Sequence, residues 1–283
     1  MNEALQKLLP KIGNLPTLPQ VVERVMTLVE DPDTTSAQLA SVIATDQALM
    51  TKVLKVVNSA YYGMPRRIAT LRQATVILGF NTVKNLVLSA SIFDSFGSGS
   101  GDVEFDRVKF WEHSIGVGTA AKVLAQRIRL GQPEELFVAG LVHDIGKVVI
   151  DDHLHEDFVR ILQVVRDKKC RILDAEQEVL GVGHPHVGQL VAEKWNLPGI
   201  LTESIAYHHT PQMALNHKKY VAIVHLADAI ARLENLGNGG DSQTPVIDPE
   251  SWKMLGIPET ELGELILRIE EEFKKASVFL SLV

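Results

Sequence analysis

The chain has 283 residues, 46% of them hydrophobic and 22% charged, with a formal net charge of -7 and one cysteine. That length suits one large domain or two packed lobes around an ample aliphatic core. The acidic balance argues against broad nucleic-acid or anionic-membrane binding, and Cys170 alone can form neither an intrachain disulfide nor a cysteine-rich zinc site.

Met1 to Lys7 lacks the apolar core of a signal peptide. The longest apolar stretch, near 220–233, is short for a membrane span and carries His225, Asp228 and Arg232. A cytoplasmic location is therefore expected. Ala-, Leu- and Val-rich stretches without strict alternation predict an all-α fold.

Pro19 opens a helix in which Leu18, Val21, Val22, Val25, Leu28 and Val29 recur at helical spacing before Asp31-Pro32 stops it. Ser36 is expected to cap a second helix carrying Leu39, Val42 and Ile43. Asp46 is expected to cap a third, with Leu49, Met50, Val53, Leu54 and Val57, ending near Gly63 and Pro65. Two more follow, over about 70–78, closed by Gly79, and about 82–93. Asn58 is suited to satisfying a helix end.

The run Ser95-Phe96-Gly97-Ser98-Gly99-Ser100-Gly101 is the most linker-like segment. It places an N-terminal helical lobe at 1–95 and a second lobe at 102–283. Helices are then expected over roughly 105–129, 133–151, 156–169, 173–181, 185–195, 199–208, 217–235 and 259–278, with a Gly-rich loop from Gly237 to Gln243.

Nine of the ten histidines lie between 113 and 217, and the tenth is His225. The strongest single feature is His143-Asp144 inside the apolar run from Phe137 to Lys147. An adjacent imidazole and carboxylate are costly to bury uncompensated, and a divalent cation would compensate them. Gly146 would let the chain turn away, and Lys147 would remain beside the metals as a cation for a phosphate oxygen. Four further places offer ligands: His113 in mid-helix, His184 before Pro185, the pair His208-His209, and Asp228 in an apolar helix.

Each of these alone has a plainer reading, as a hydrogen-bonded core histidine, a helix cap or an ion pair. Together they put nitrogen and oxygen ligands in apolar surroundings on five separate segments. His153, His155 and His217 are expected on exposed loops. His186 should point away from His184, and His225, one turn from Asp228, could orient a ligand by a hydrogen bond.

His113, then His143-Asp144, then Asp228 resembles the H…HD…D pattern of the HD superfamily of metal-dependent phosphohydrolases. His143 to Lys147, His184-Pro185-His186-Val187-Gly188, His208-His209 and Asp228 are similar to the HDIGK, HPxxG, HH and D elements of the two-metal HD-GYP phosphodiesterases. Leu15 to Pro19, Asp46 to Leu54, Val56 to Gly63 and Ala74 to Gly79 resemble bacterial HDOD domain proteins, a related regulatory family, and this likeness covers about 12–235. No Gly-Tyr-Pro follows His208-His209, where Thr210-Pro211-Gln212 stands. Lys109 occupies the place of an extra carboxylate found in some HD-GYP enzymes.

The resemblance implies an N-terminal lobe packed on an HD lobe, and two cations. His113, His143, Asp144 and Asp228 would form one linked set with Asp144 as bridge. His184, His208 and His209 would hold the second ion, and Lys147 a phosphate. The nitrogen-rich set favours iron, manganese, zinc or nickel over magnesium or calcium, with iron the first choice by resemblance.

Three functions follow. One is a signal-transduction module that binds metal and a phosphorylated or nucleotide ligand while the N-terminal lobe meets a signalling partner. The second is an active phosphohydrolase or cyclic-dinucleotide phosphodiesterase. The third is a di-iron oxygen or redox sensor.

Overall fold

The computed structural model describes residue 10 and residues 18–97, 105–243 and 245–282. Met1 to Lys7, residues 15–17 of the N-terminal motif and residues 98–101 of the linker-like run lie outside them. The described residues form helices and no strand, and none of these helices is long and apolar enough to cross a membrane. They fall into two compact units: the described parts of Leu18–Ser98 with Glu270–Val283, and of Gly99–Ile269 with Met1–Thr17. The C-terminal segment thus groups with the first unit instead of continuing the second.

In the first unit the chain order is α1 (Gln20–Glu30), α2 (Ser36–Ile43), α3 (Gln47–Val57), α4 (Leu71–Leu78) and α5 (Phe80–Phe96). Thr35, one residue before the expected Ser36, caps α2. Its hydroxyl accepts the Gln38 N–H, and the Gln38 side chain accepts the Thr35 N–H in return. Asp46 caps α3 by accepting the Leu49 N–H at 2.9 Å.

Helix α3 ends at Asn58, short of Gly63, because the Asn58 side chain takes over there. Its amide donates to the carbonyls of Leu54 and Ile68 at 2.8 Å each, and its oxygen accepts the Ile68 N–H at 2.7 Å. Helix α5 is longer than expected and includes Ser95 and Phe96. Its residues from Leu86 to Phe93 are all buried, which makes α5 the axis against which α1, α3 and α4 pack.

The second unit is built on α6 (Arg107–Arg127), whose residues from Ser114 to Ala125 are all buried. There follow α7 (Pro133–Val142), α8 (Ile145–His153), α9 (His155–Lys168), α10 (Ile172–Val179), α11 (His184–Lys194), α12 (Gly199–Tyr207), α13 (Lys218–Leu233), α14 (Pro249–Leu255) and the start of α15 (Leu262–Ala276). The expected helix over 133–151 is broken at His143-Asp144, where Asp144 adopts φ -102 and ψ 11. Helix α14 has no counterpart in the sequence reading. His153 ends α8 and His155 begins α9, so neither sits on an exposed loop, and His155 Nδ1 lies 2.9 Å from Asp151 Oδ1.

Two close approaches set the positions of the histidine-bearing segments. A Cβ on Gly140 would fall 2.6 Å from Gly118 Cα, so α7 can lie directly on α6. A Cβ on Gly146 would fall 2.0 Å from the His184 carbonyl oxygen. Gly146 therefore serves the contact between the starts of α8 and α11, not the chain turn expected of it.

Candidate metal centre

The second unit brings all seven expected ligands to one buried place. They form two groups whose ligand atoms lie within 4.8 Å of one another: Asp144, His184, His208 and His209 in one, and His113, His143 and Asp228 in the other. His184 Nε2 is 3.0 Å and His208 Nε2 is 3.4 Å from Asp144 Oδ1. Asp144 Oδ2 is also 3.3 Å from His143 Nε2, so this carboxylate touches both groups. In the second group His113 Nε2 stands 3.1 Å and His143 Nε2 3.9 Å from Asp228 Oδ1.

The outward-facing ring nitrogens explain how these imidazoles are presented. His143 Nδ1 donates to the Gly140 carbonyl at 2.7 Å, His208 Nδ1 to the Ile205 carbonyl at 2.9 Å, and His184 Nδ1 to Glu176 Oε2 at 2.7 Å. With Nδ1 protonated, the Nε2 atom of a neutral ring carries a lone pair toward the centre. Yet His184 Nε2 is 3.4 Å from His208 Nε2 and 3.2 Å from His209 Nε2. Lone pairs so close repel unless a proton or a metal ion lies among them. His113 Nε2, His143 Nε2 and Asp144 Oδ1 are buried with no hydrogen-bond partner in this structure. The donor set and its unsatisfied atoms fit divalent transition-metal cations.

The electrostatics point the same way. Burial holds His113 and His209 below the ordinary histidine value and pushes His208 down to about 4. Burial opposes ionisation of Asp144, but His143, Lys147 and His184 outweigh it and hold the carboxyl well below the usual range. Asp228 is held well below in the same manner, burial being overcome chiefly by Arg232 and His113. At neutral pH the centre thus offers ionised Asp144 and Asp228 with neutral His113, His208 and His209, the protonation states a metal ligand needs. At His184, by contrast, burial is outweighed chiefly by Glu176 and Asp144, which hold it above the ordinary histidine value.

Several neighbours were not anticipated. Lys147 was expected at a phosphate oxygen, but it is wholly buried and donates to Asp144 Oδ2 at 2.5 Å and to the Gly239 carbonyl at 2.8 Å. Arg232 donates to Asp228 Oδ1 at 2.9 Å and to Asp241 Oδ1 at 3.1 Å. Asp241 also accepts the Ile172 N–H at 3.0 Å, which ties the Gly-rich loop to the start of α10. The sequence does carry a signal for two of these residues. Arg232 follows Asp228 by four residues on one helix, and Glu176 falls on the apolar stripe of α10 with Ile172 and Ala175.

His225 donates from Nδ1 to the His208 carbonyl at 2.7 Å and accepts the Asp248 N–H on Nε2 at 2.9 Å. Its two nitrogens thereby link the backbone of His208 to that of Asp248. His186 is exposed and belongs to neither group. His217 is half-buried at the start of α13, and Lys109 pairs with Glu112 at 2.6 Å. A narrow cleft of about 50 Å³ reaches the centre at His209 and Asp228, between Arg171 and Leu173 on one side and Val246 on the other.

An all-helical fold around a buried histidine and aspartate cluster defines an HD-like helical domain. The HDOD domain model matches residues 15–211, and the chain belongs to the HDOD family. That match takes in the six expected ligands from His113 to His209 and stops short of Asp228, Arg232 and Asp241.

An HDOD domain protein of unknown function from Geobacter sulfurreducens superposes with a TM-score of 0.83 at 28% identity, over 98% of both chains. A candidate phosphohydrolase from Shewanella amazonensis shares the fold at 24% identity, with a TM-score of 0.77 over 99% of this chain and 98% of that one. An uncharacterised protein of Treponema pallidum (strain Nichols) is 25% identical over 224 residues, which is 78% of this chain and 43% of that relative. The chain thus spans less than half the length of that relative.

Proposed function

We propose that this HDOD protein is a signal-transduction module whose HD-type site holds two transition-metal cations. His113, His143 and Asp228 hold one, and Asp144, His184, His208 and His209 hold the other, with Asp144 between them as in the HD-GYP pattern. The observation that carries this reading is the convergence of imidazole Nε2 atoms whose Nδ1 protons are already given to outward acceptors. Iron is the first choice, with manganese, zinc or nickel accommodated by the same donors. When bound, such cations supply Lewis acidity to a phosphate ester.

A regulatory role is favoured over turnover by how the cations of the protein are spent. Lys147 is wholly buried between Asp144 and Gly239 and is not presented to the cleft, and Arg232, which lines it, gives Nε to Asp228 and Nη1 to Asp241. The N-terminal unit is the surface on which a signalling partner would act. The cleft at His209 supports a second reading, metal-dependent phosphohydrolase activity on a phosphorylated or nucleotide ligand.

Elemental analysis of untagged protein purified without chelators tests the first point. About two transition-metal ions per chain, lost in Asp144→Ala, are expected, and no uptake after anaerobic loading with iron or manganese would end the metal reading. Metal-loaded protein that hydrolyses cyclic dinucleotides or aryl phosphates, and loses this with Asp144→Ala, would replace the regulatory reading by the catalytic one. An oxygen-dependent change in the optical spectrum of reduced, iron-loaded protein would favour a redox sensor instead.

A further inference from the structure

Glu176 is wholly buried on α10, and a buried carboxylate needs a reason. Its Oε2 accepts two hydrogen bonds from one residue, the backbone N–H and the Nδ1–H of His184, each at 2.7 Å. Its Oε1 has no hydrogen-bond partner. Capping the first N–H of α11 alone would require no charge, since a serine, threonine or asparagine does that work at most helix starts. The contact with Nδ1 is what a cap does not explain. His143 and His208 give the corresponding proton to neutral backbone carbonyls, whereas His184 gives it to a carboxylate.

We infer that Glu176 is a positioning residue for His184, fixing its tautomer and ring angle and backing the imidazole with negative charge so that its subsite binds a cation more tightly. The inference rests on the metal reading above. The hydrogen bond leaves Nε2 as the only free ring nitrogen and aims it at Asp144 Oδ1, 3.0 Å away, beside the Nε2 atoms of His208 and His209. A carboxylate behind a ligating imidazole raises the basicity of the far nitrogen, and losing such a partner commonly lowers metal affinity about 10–100-fold. Both contacts to Glu176 come from one residue, so the carboxylate also ties the ring to the start of its own helix.

The test is zinc(II) affinity, measured by chelator competition, for wild type, Glu176→Gln and Glu176→Ala, with thermal unfolding of each metal-free protein. Glutamine keeps an acceptor for the two N–H groups but carries no charge. A roughly tenfold weaker zinc affinity in Glu176→Gln is expected, with a larger loss in Glu176→Ala and an unfolding midpoint of metal-free Glu176→Gln close to that of wild type. A nitrogen-15 spectrum of metal-free wild type should show His184 protonated at Nδ1. Glu176→Gln binding zinc as tightly as wild type would overturn the role of the charge and leave the metal reading intact. His184 protonated at Nε2 alone would overturn the positioning role. Wild type that takes up no zinc would sink the metal reading, and this inference with it.

Discussion

Lys147 and Asp144 form a closed pair one turn apart, with the ammonium 2.5 Å from the carboxylate and no part of the lysine exposed. The Gly239 carbonyl fills a second position around that ammonium, so the lysine also fastens the Gly-rich loop. Replacing Lys147 by methionine keeps the packing volume but leaves Asp144 without its cation. The expected cost is on the order of 3 kcal/mol in the metal-free protein, as for other buried pairs broken on one side. Urea unfolding in the presence of a chelator measures it, and a change below about 0.5 kcal/mol would show that the pair is not formed in solution.

Gly146→Ala should damage the centre without touching a ligand. The added methyl group would meet the His184 carbonyl oxygen at 2.0 Å, a backbone atom that cannot swing aside. Separation of α8 from α11 should cost about 1–3 kcal/mol or more. Thermal unfolding together with metal content should show both falling, whereas Gly263→Ala, in a helix with open space around it, should lower neither.

Glu203 on α12 supplies a pH dependence remote from the ligands. Its carboxylate accepts the N–H groups of Leu215, Asn216 and His217, at 3.1, 3.1 and 3.0 Å, just before α13 begins. Burial alone would raise its pKa, but the bonds from His217 and Asn216 outweigh this and hold it below the ordinary glutamate value. A depressed folded-state value means stability that is present above the unfolded pKa and lost as pH falls through the folded one. Glu203→Gln should therefore lower the urea midpoint at pH 7, with the gap to wild type closing as pH drops below the ordinary glutamate range. A gap constant from pH 7 to pH 3 would exclude this account.

Asn58→Ala should weaken the first unit. It removes the contacts that join the end of α3 to the Ile68 backbone and leaves the Leu54 and Ile68 groups to find water. A loss of about 1–3 kcal/mol is expected from unfolding curves.

Most helices and the roster of candidate ligands were readable from local pattern because both depend on residue spacing along one segment. Apolar periodicity placed α1 to α5, and ligands isolated in apolar runs stood out as costly. What escaped depends on pairings between distant segments. The break at His143-Asp144 lies just before the close approach of Gly146 to the His184 carbonyl, a pairing between distant segments that no local propensity encodes. The inward turn of Lys147 depends on the carbonyl of Gly239, 92 residues away. Glu176 and Arg232 were passed over because an acid or a base on a helix is ordinarily a solvated surface group.

Helix α10 has only eight residues, and it is tied to the candidate centre at two places one turn apart. At its first residue, the Ile172 N–H is held by Asp241, which holds Arg232, which holds Asp228. One turn on, Glu176 holds His184. A tilt of this short helix would act on the hydrogen bonds to both groups of candidate ligands. Should cations occupy both groups, any strain that filling the His113 group put on α10 would reach His184 through Glu176, and thermodynamic reciprocity would require the converse. Helix α10 thus joins the Asp228–Arg232–Asp241 chain to the Glu176–His184 pair through a single turn of backbone.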